Sequence, residues 1–219
     1  MISTHLLNIK FLEDDNIFGK HYNQMSSYRK EKIDRMKLRK DKNLSLGAGV
    51  LLDYCLGNYG FRENLMEYET GDNGKPYFKN SPELFFNLSH SGDNVICSFA
   101  DSAIGCDIEK IGEINLKIAN RFFADKEKSF IFSTEDETEQ LNRFYRIWTL
   151  KESYMKYSGK GFSQGLTSFE ICIENGISVI DNGRKQNLYF REYEIKGYKI
   201  AVCAEKNEFS EKIHSINLI

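Results

Sequence analysis

The chain changes its hydrophobic rhythm several times. Near the start, "STHLLNIKFL" carries the short apolar run of an opening strand. From Tyr28 to about Tyr59 the pattern turns helical, a charged stretch "YRKEKIDRMKLRKDK" leading into an apolar one, "NLSLGAGVLLDYCLGNYG", that closes on glycine. "NGKP" at 73–76 predicts a turn, because Asn-Gly favours tight turns and Pro76 fixes its own φ. "LFFNLSHSGDNVICSFADSAIGCDIEKI" then predicts three short strands parted by Ser-Gly-Asp-Asn and Asp-Ser turns.

The order of helices followed by strands recurs downstream. "LKIANRFF" is a helix candidate, the polar stretch "STEDETEQ" interrupts, and "LNRFYRIWTLKESYMKY" is the longest amphipathic pattern in the chain. Strands are expected in "SFEICI", "ISVI", "NLYFREYEI", "YKIAVCAEK" and "SINLI". "VICSFA" at 95–100 resembles "IAVCAE" at 200–205, which points to a duplicated half with a boundary near 100–112. The expectation is an α+β protein of two similar halves, 1–105 and 106–219, with antiparallel sheets packed by helices and a ligand cleft between the halves.

Composition narrows the function. With 219 residues, 41% hydrophobic and 28% charged, the chain can bury a substantial core. A net charge of -2 and a pI near 6.1 argue against a nucleic-acid binder and leave room for a local basic patch. Tyr28 to Lys42 is such a patch, with eight Lys or Arg against three Asp or Glu. No apolar run reaches the ~18 residues of a membrane span and no secretory leader pattern opens the sequence, so a cytoplasmic protein without membrane contact is expected. The five cysteines are odd in number and lack zinc-like spacing, and they read as buried thiols in a reducing compartment.

Three segments carry candidate chemistry. In "GCDIEK", Asp107 and Glu109 stand two apart on a predicted strand and share a face, an arrangement that either water or a cation must screen. In "FYRIWTLKESYMKYSGKG", Lys151 breaks the apolar stripe beside Glu152, and Glu152 and Lys156 are one helical turn apart. An anionic ligand would give Lys151 a reason to be partly buried. In "FFNLSHSGDN", Ser89 and His90 end a strand where they can donate hydrogen bonds to a phosphate. Asp107, Glu109 and Glu152 together suit a hard divalent cation, and Arg29, Lys32 and Lys75 suit phosphates. Taken together these residues suit a divalent cation beside a phosphorylated ligand; a metal-dependent phosphodiester or pyrophosphate hydrolase and a non-catalytic binder are the rival classes to the reading that follows.

"NGKPYF", "FFNLSHSGDNVICSFA", "IGCDIEKI" and "FYRIWTLKESYMKYSGKGF" occur in the order and spacing of the Sfp-type 4'-phosphopantetheinyl transferases, which the sequence resembles over essentially its whole length. The resemblance implies a pseudo-twofold monomer that binds coenzyme A between its halves. Such an enzyme moves the phosphopantetheine arm to a serine of a separate acyl or peptidyl carrier protein, in fatty acid, polyketide or nonribosomal peptide synthesis. It further implies Asp107, Glu109 and Glu152 as ligands of Mg2+, or of Mn2+ in its place, and Lys151 and Lys156 as the helix lysines, with Lys156 on the α-phosphate. Ser89 and His90 match the phosphate-contacting turn, Gly74, Lys75 and Pro76 the adenine-side loop, and Arg29 and Lys32 the residues near the 3'-phosphate and pyrophosphate. Asp107, Glu152 and Lys156 are then the catalytic candidates, Glu152 being the first choice of base.

The sequence departs from that pattern at Leu44, where the family often has arginine. The 3'-phosphate would then rely on Arg29, Lys32, His90 or Lys42. Carrier docking is expected on Ile111 to Ser133, where Phe122 and Phe123 look exposed among Lys117, Arg121, Lys126 and Lys128.

Overall fold

A computed structural model of the chain describes residues 1–161, 164–174 and 176–218. Phe162, the last residue of the long helix-and-turn motif, and Ile219, the last of the final strand motif, lie outside them. The first half runs β1 (Ser3–Asn8), α1 (Asp15–Gln24), α2 (Ser27–Asp34), α3 (Arg39–Gly57), the hairpin β2 (Tyr68–Thr70) and β3 (Pro76–Phe78), then β4 (Phe85–Ser91) and β5 (Asn94–Ala100). The second runs β6 (Ile104–Lys110), α4 (Ala119–Phe122), α5 (Asp125–Ile131), α6 (Glu137–Ser158), β7 (Phe169–Cys172), β8 (Ser178–Asp181), β9 (Arg184–Lys185), β10 (Tyr189–Ile195) and β11 (Tyr198–Ala204), and β12 (His214–Ile216) follows.

The two halves share one topology. β1, β5 and β4 pair in that order as an antiparallel set, and β6, β11 and β10 do the same. Each set is led by its first strand, followed by one long helix and a small sheet, and completed by a hairpin. The similar hexapeptides at 95–100 and 200–205 fall on β5 and β11, which hold equivalent central places. β6 starts at Ile104, so a division between 105 and 106 cuts into that strand. The symmetry is broken by β12, which crosses back to lie parallel to β1, His5 opposite His214.

The helical stretch expected from Tyr28 to Tyr59 is two helices. Leu38 is extended, and the preceding charged segment buries only Arg29 and Ile33, too little apolar surface to carry one continuous helix. α3 is charged in its first turn and buried on every side from Asn43 to Leu52, and it packs Leu46, Val50, Leu51 and Leu52 into the core with β5 and β1. α6 is preceded by Asp136, whose carboxylate caps the Thr138 and Glu139 N–H groups, and is closed by Gly159 in the left-handed conformation.

Three cores result. One lies between α3 and the first sheet, and one between α6 and the second. The third is the seam where the sheets pack on each other, and it takes Ile104, Cys106 and Ile108 from one face of β6. The other face of β6 carries Gly105, Asp107 and Glu109 towards α6. A side chain on Gly105 would collide with the Ser153 carbonyl oxygen and the Tyr157 nitrogen, so glycine here sets how closely the strand and the helix approach.

Candidate active site

β4 and β6 lie side by side without a shared ladder, and side chains bridge them instead. Every second residue of β4 points towards β6. Asn87 accepts from the Cys106 N–H at 2.8 Å, Ser89 Oγ donates to Asp107 Oδ1 at 2.7 Å, and Ser91 Oγ donates to Glu109 Oε2 at 2.8 Å. Ser91 Oγ also accepts from the Lys110 N–H at 3.0 Å. Asn87 and Ser91 were not among the candidates read from the sequence, although their spacing of two either side of Ser89 is the signal that finds them.

From α6, Lys156 Nζ reaches this seam and donates to Asp107 Oδ1 at 2.6 Å and Ser89 Oγ at 2.8 Å. Asp107 is buried, and its second oxygen has no hydrogen-bond partner. Burial and the Asp107 charge push Glu109 up to about 7, and the same two causes raise Glu152 above its usual range. Burial works against the charge on Lys156, yet Asp107, Cys106 and Glu152 hold its pKa above the ordinary value. The three expected acids are thus near enough to feel one another's charge, which does not make them a joint ligand set. Among the described residues, no three His, Cys, Asp or Glu side chains are drawn into a closed metal cage.

A cavity of about 280 Å3 lies beside this cluster, lined by Gly74, Lys75, Pro76, Asn87, Leu88, Glu152 and Lys156 among others; Asp107 and Glu109 stand behind its wall. It meets a second of about 170 Å3, which shares Pro76, Asn87 and Leu88 and adds Arg29, Lys32, Ser45, Ala48 and His90. His90 lines the second cavity with Arg29, whereas Ser89 is buried behind the wall and faces Asp107 and Lys156. Gly74 adopts φ +81 in the turn between β2 and β3, where the Gly74 N–H donates to the Gly71 carbonyl at 2.8 Å.

Four expectations take a different form. Lys151 is fully buried on the far side of α6, where its ammonium donates to Glu127 Oε1 and Oε2 at 2.6 and 2.8 Å and to the Phe169 carbonyl at 2.8 Å. Its counter-ion is internal, and it does not face the cleft. The Lys75 ammonium turns to the Ile104 and Tyr157 carbonyls at 2.9 and 3.2 Å, and burial lowers its pKa to about 8; its stem, not its charge, lines the cleft. Leu44 is packed in the first core, since helical spacing puts Ser45 and Ala48, not Leu44, on the cavity wall. Phe123 is likewise core, its ring 5.1 Å from that of Phe144, and Phe122 stands edge-on to Trp148 at 5.7 Å. The exposed apolar groups of that segment are Ile114 and Phe132, with Lys117, Arg121 and Lys126 also at the surface.

Comparison with known proteins decides what this cleft belongs to. A family model described as the 4'-phosphopantetheinyl transferase superfamily matches residues 103–203, from the start of β6 almost to the end of β11. The 4'-phosphopantetheinyl transferase Sfp of Bacillus subtilis (strain 168) is 36% identical over 197 residues, covering 88% of each chain. The chain belongs to the 4'-phosphopantetheinyl transferase family. The transferase ffp of Bacillus subtilis is 37% identical over 202 residues, again 88% of each chain, and gsp of Aneurinibacillus migulanus is 30% identical over 87% of this chain and 81% of its own. This transferase has no helix, among the described residues, long and apolar enough to cross a membrane.

Proposed function

We propose that the cleft holds coenzyme A with its pyrophosphate between Lys156 and the Asp107, Glu109 and Glu152 carboxylates, and its 3'-phosphate towards Arg29, Lys32 and His90. As a 4'-phosphopantetheinyl transferase, the chain moves the 4'-phosphopantetheine arm of coenzyme A to a serine of a carrier protein. The observation that carries the placement is the Lys156–Asp107 pair at 2.6 Å, its lysine on the cavity wall, beside two carboxyls of raised pKa.

The acids fit Mg2+ or Mn2+. They are an all-oxygen donor set whose charges work against one another, and the second oxygen of Asp107 is buried and unpartnered. Bound there, a divalent cation would neutralise charge on both phosphates. Lys156 adds positive charge where the leaving phosphate gains negative charge, and Ser89 keeps Asp107 turned to it. The serine oxygen forms a bond to the pantetheine-side phosphorus, the bond from that phosphorus to the bridging oxygen breaks, and adenosine 3',5'-bisphosphate leaves with that oxygen. Glu152, whose raised pKa makes it a better base than an ordinary carboxylate, takes the serine proton directly or through one water. Gly74, the Lys75 stem and Pro76 wall the adenine side. The carrier docks at Ile111 to Ser133, where Ile114 and Phe132 with Lys117 and Arg121 offer an apolar contact with a basic rim. The enzyme works as a monomer.

Mass spectrometry of an apo carrier protein after incubation with this chain, coenzyme A and magnesium tests the reading. A gain of one phosphopantetheine on the carrier serine, abolished by chelator, is expected. Release of adenosine 3',5'-bisphosphate at the same rate without carrier would overturn it in favour of a hydrolase.

A further inference from the structure

Arg29 is a buried cation that forms no ion pair among the described residues. It is 4% exposed, its Nε has no partner, and the one hydrogen bond of its side chain among the described residues is a long 3.5 Å contact from a terminal nitrogen to the Ser45 carbonyl. Lys32, one turn further along α2, lines the same cavity. A guanidinium held in that state needs its backbone fixed from behind, because its own donors are left free for a ligand.

Glu63 supplies that fixing. It is fully buried between α3 and β2, and three donors converge on its carboxylate: the Ser26 N–H at 2.7 Å, Ser26 Oγ at 2.7 Å and the Tyr68 hydroxyl at 2.8 Å. Two routes lead from it to the cavity cations. In the first, Ser26 Oγ spends its only proton on Glu63 and so accepts the Arg29 N–H at 3.2 Å, which orders the first turn of α2. In the second, Tyr68 stacks on Tyr28 at 4.4 Å, and the Tyr28 ring carries the Lys32 ammonium 5.5 Å from its centroid. Gly49 of α3 completes the seat, since a side chain there would press on the Met25 sulfur and the Arg29 stem at 2.7 and 3.0 Å.

We infer that Glu63 is a positioning residue for recognition of the phosphate on the ribose of coenzyme A, acting through Ser26 on Arg29 and through the Tyr68–Tyr28 stack on Lys32. The inference rests on the placement of that phosphate proposed above. Glu63 touches no substrate. Its carboxylate, filled by three donors, is not replaceable by an amide without setting one N–H against another donor.

The test is calorimetric binding of coenzyme A and of 3'-dephospho-coenzyme A to the wild type and to Glu63→Gln, Tyr68→Phe and Arg29→Ala, with KM and kcat alongside. Glu63→Gln is expected to weaken coenzyme A about ten-fold, the scale of one loosened charge-assisted contact, while dephospho-coenzyme A changes by less than about two-fold. KM for coenzyme A should rise by more than kcat falls. Tyr68→Phe keeps the ring stack, removes one donor and should shift the preference about three-fold the same way, so the question is answered even if Glu63→Gln folds poorly. An unchanged preference in both variants, with Arg29→Ala losing it, would overturn the role of Glu63 alone. An unchanged preference in Arg29→Ala would overturn the phosphate placement and the inference with it.

Discussion

Lys156 Nζ stands 2.6 Å from one oxygen of Asp107, while the other oxygen of the same carboxylate is buried and unpartnered. Half of the aspartate is thus committed to the helix lysine and half is held in reserve. Asp107→Asn keeps the shape and removes the charge, and it is expected to lower kcat at least ~100-fold, the scale found when a group stabilising transition-state charge is lost. Steady-state transfer kinetics on one carrier protein check this, and a loss under about ten-fold would show that Asp107 merely orients Lys156.

The pH response follows from Glu109. Its folded pKa of about 7 lies above the ordinary 4.5, so the folded state binds this proton more tightly than the unfolded one. The stability this contributes is full below the ordinary value, declines as pH rises and is gone above about 7. Thermal midpoints of the metal-free protein should therefore fall between about pH 5 and about pH 7.5 more steeply than those of Glu109→Gln. Added magnesium should flatten the wild-type decline, because it favours the ionised carboxyl.

Lys151 and Glu152 are neighbours in sequence with separate duties. Lys151→Ala strands Glu127 without its counter-ion and should cost ~3–5 kcal/mol in urea unfolding, with the double variant Lys151→Met, Glu127→Met recovering only part of it, because Glu127 also accepts from the Ile171 and Ala124 N–H groups. Glu152→Gln should leave stability nearly intact and reduce transfer more than Lys151→Ala does per folded molecule. Equal catalytic losses would contradict the separation.

Gly105→Ala forces β6 away from Ser153 and Tyr157 of α6, both contacts being with backbone that cannot rotate aside. Overpacking of this kind costs ~1–3 kcal/mol or more, and it should also weaken coenzyme A binding, because the same displacement parts Lys156 from Asp107. Calorimetry and denaturant unfolding on the one variant measure both effects.

Much of this arrangement is legible before any coordinates. Period-two alternation gives β4, β5 and β6, and it puts Asp107 and Glu109 on one face; period 3.6 gives α6 and sets Glu152 beside Lys156. Properties that depend on distant partners are not legible. The Glu127 that neutralises Lys151 is 24 residues away and reaches it only through packing of α5 on α6. Phe123 sits among basic residues in sequence and in the second core in space, because the chain turns extended just after α4 and carries that ring inward. Leu44 meets the core and Ser45 the cavity, since which of two adjacent helix residues faces the core is set by how α3 lies on the sheet. α1 has no fully buried residue, and its apolar stripe is only the half-buried Phe18 and Tyr22 on the first core, too short to be read from the sequence.

The return of β12 to β1 gives the duplicated architecture an order in time. On the ribosome the first half emerges with its opening strand already able to pair with β5, but the outer edge of that strand has no neighbour until residues 214–216 have been made. An unpaired edge is a template for other chains, so the nascent protein carries an adhesive margin through most of its synthesis. The halves therefore cannot be handed over one at a time, as beads of a duplicated chain could be. Closure of the first waits for the end of the second, and removing the β12 segment should leave a first half that gathers into oligomers.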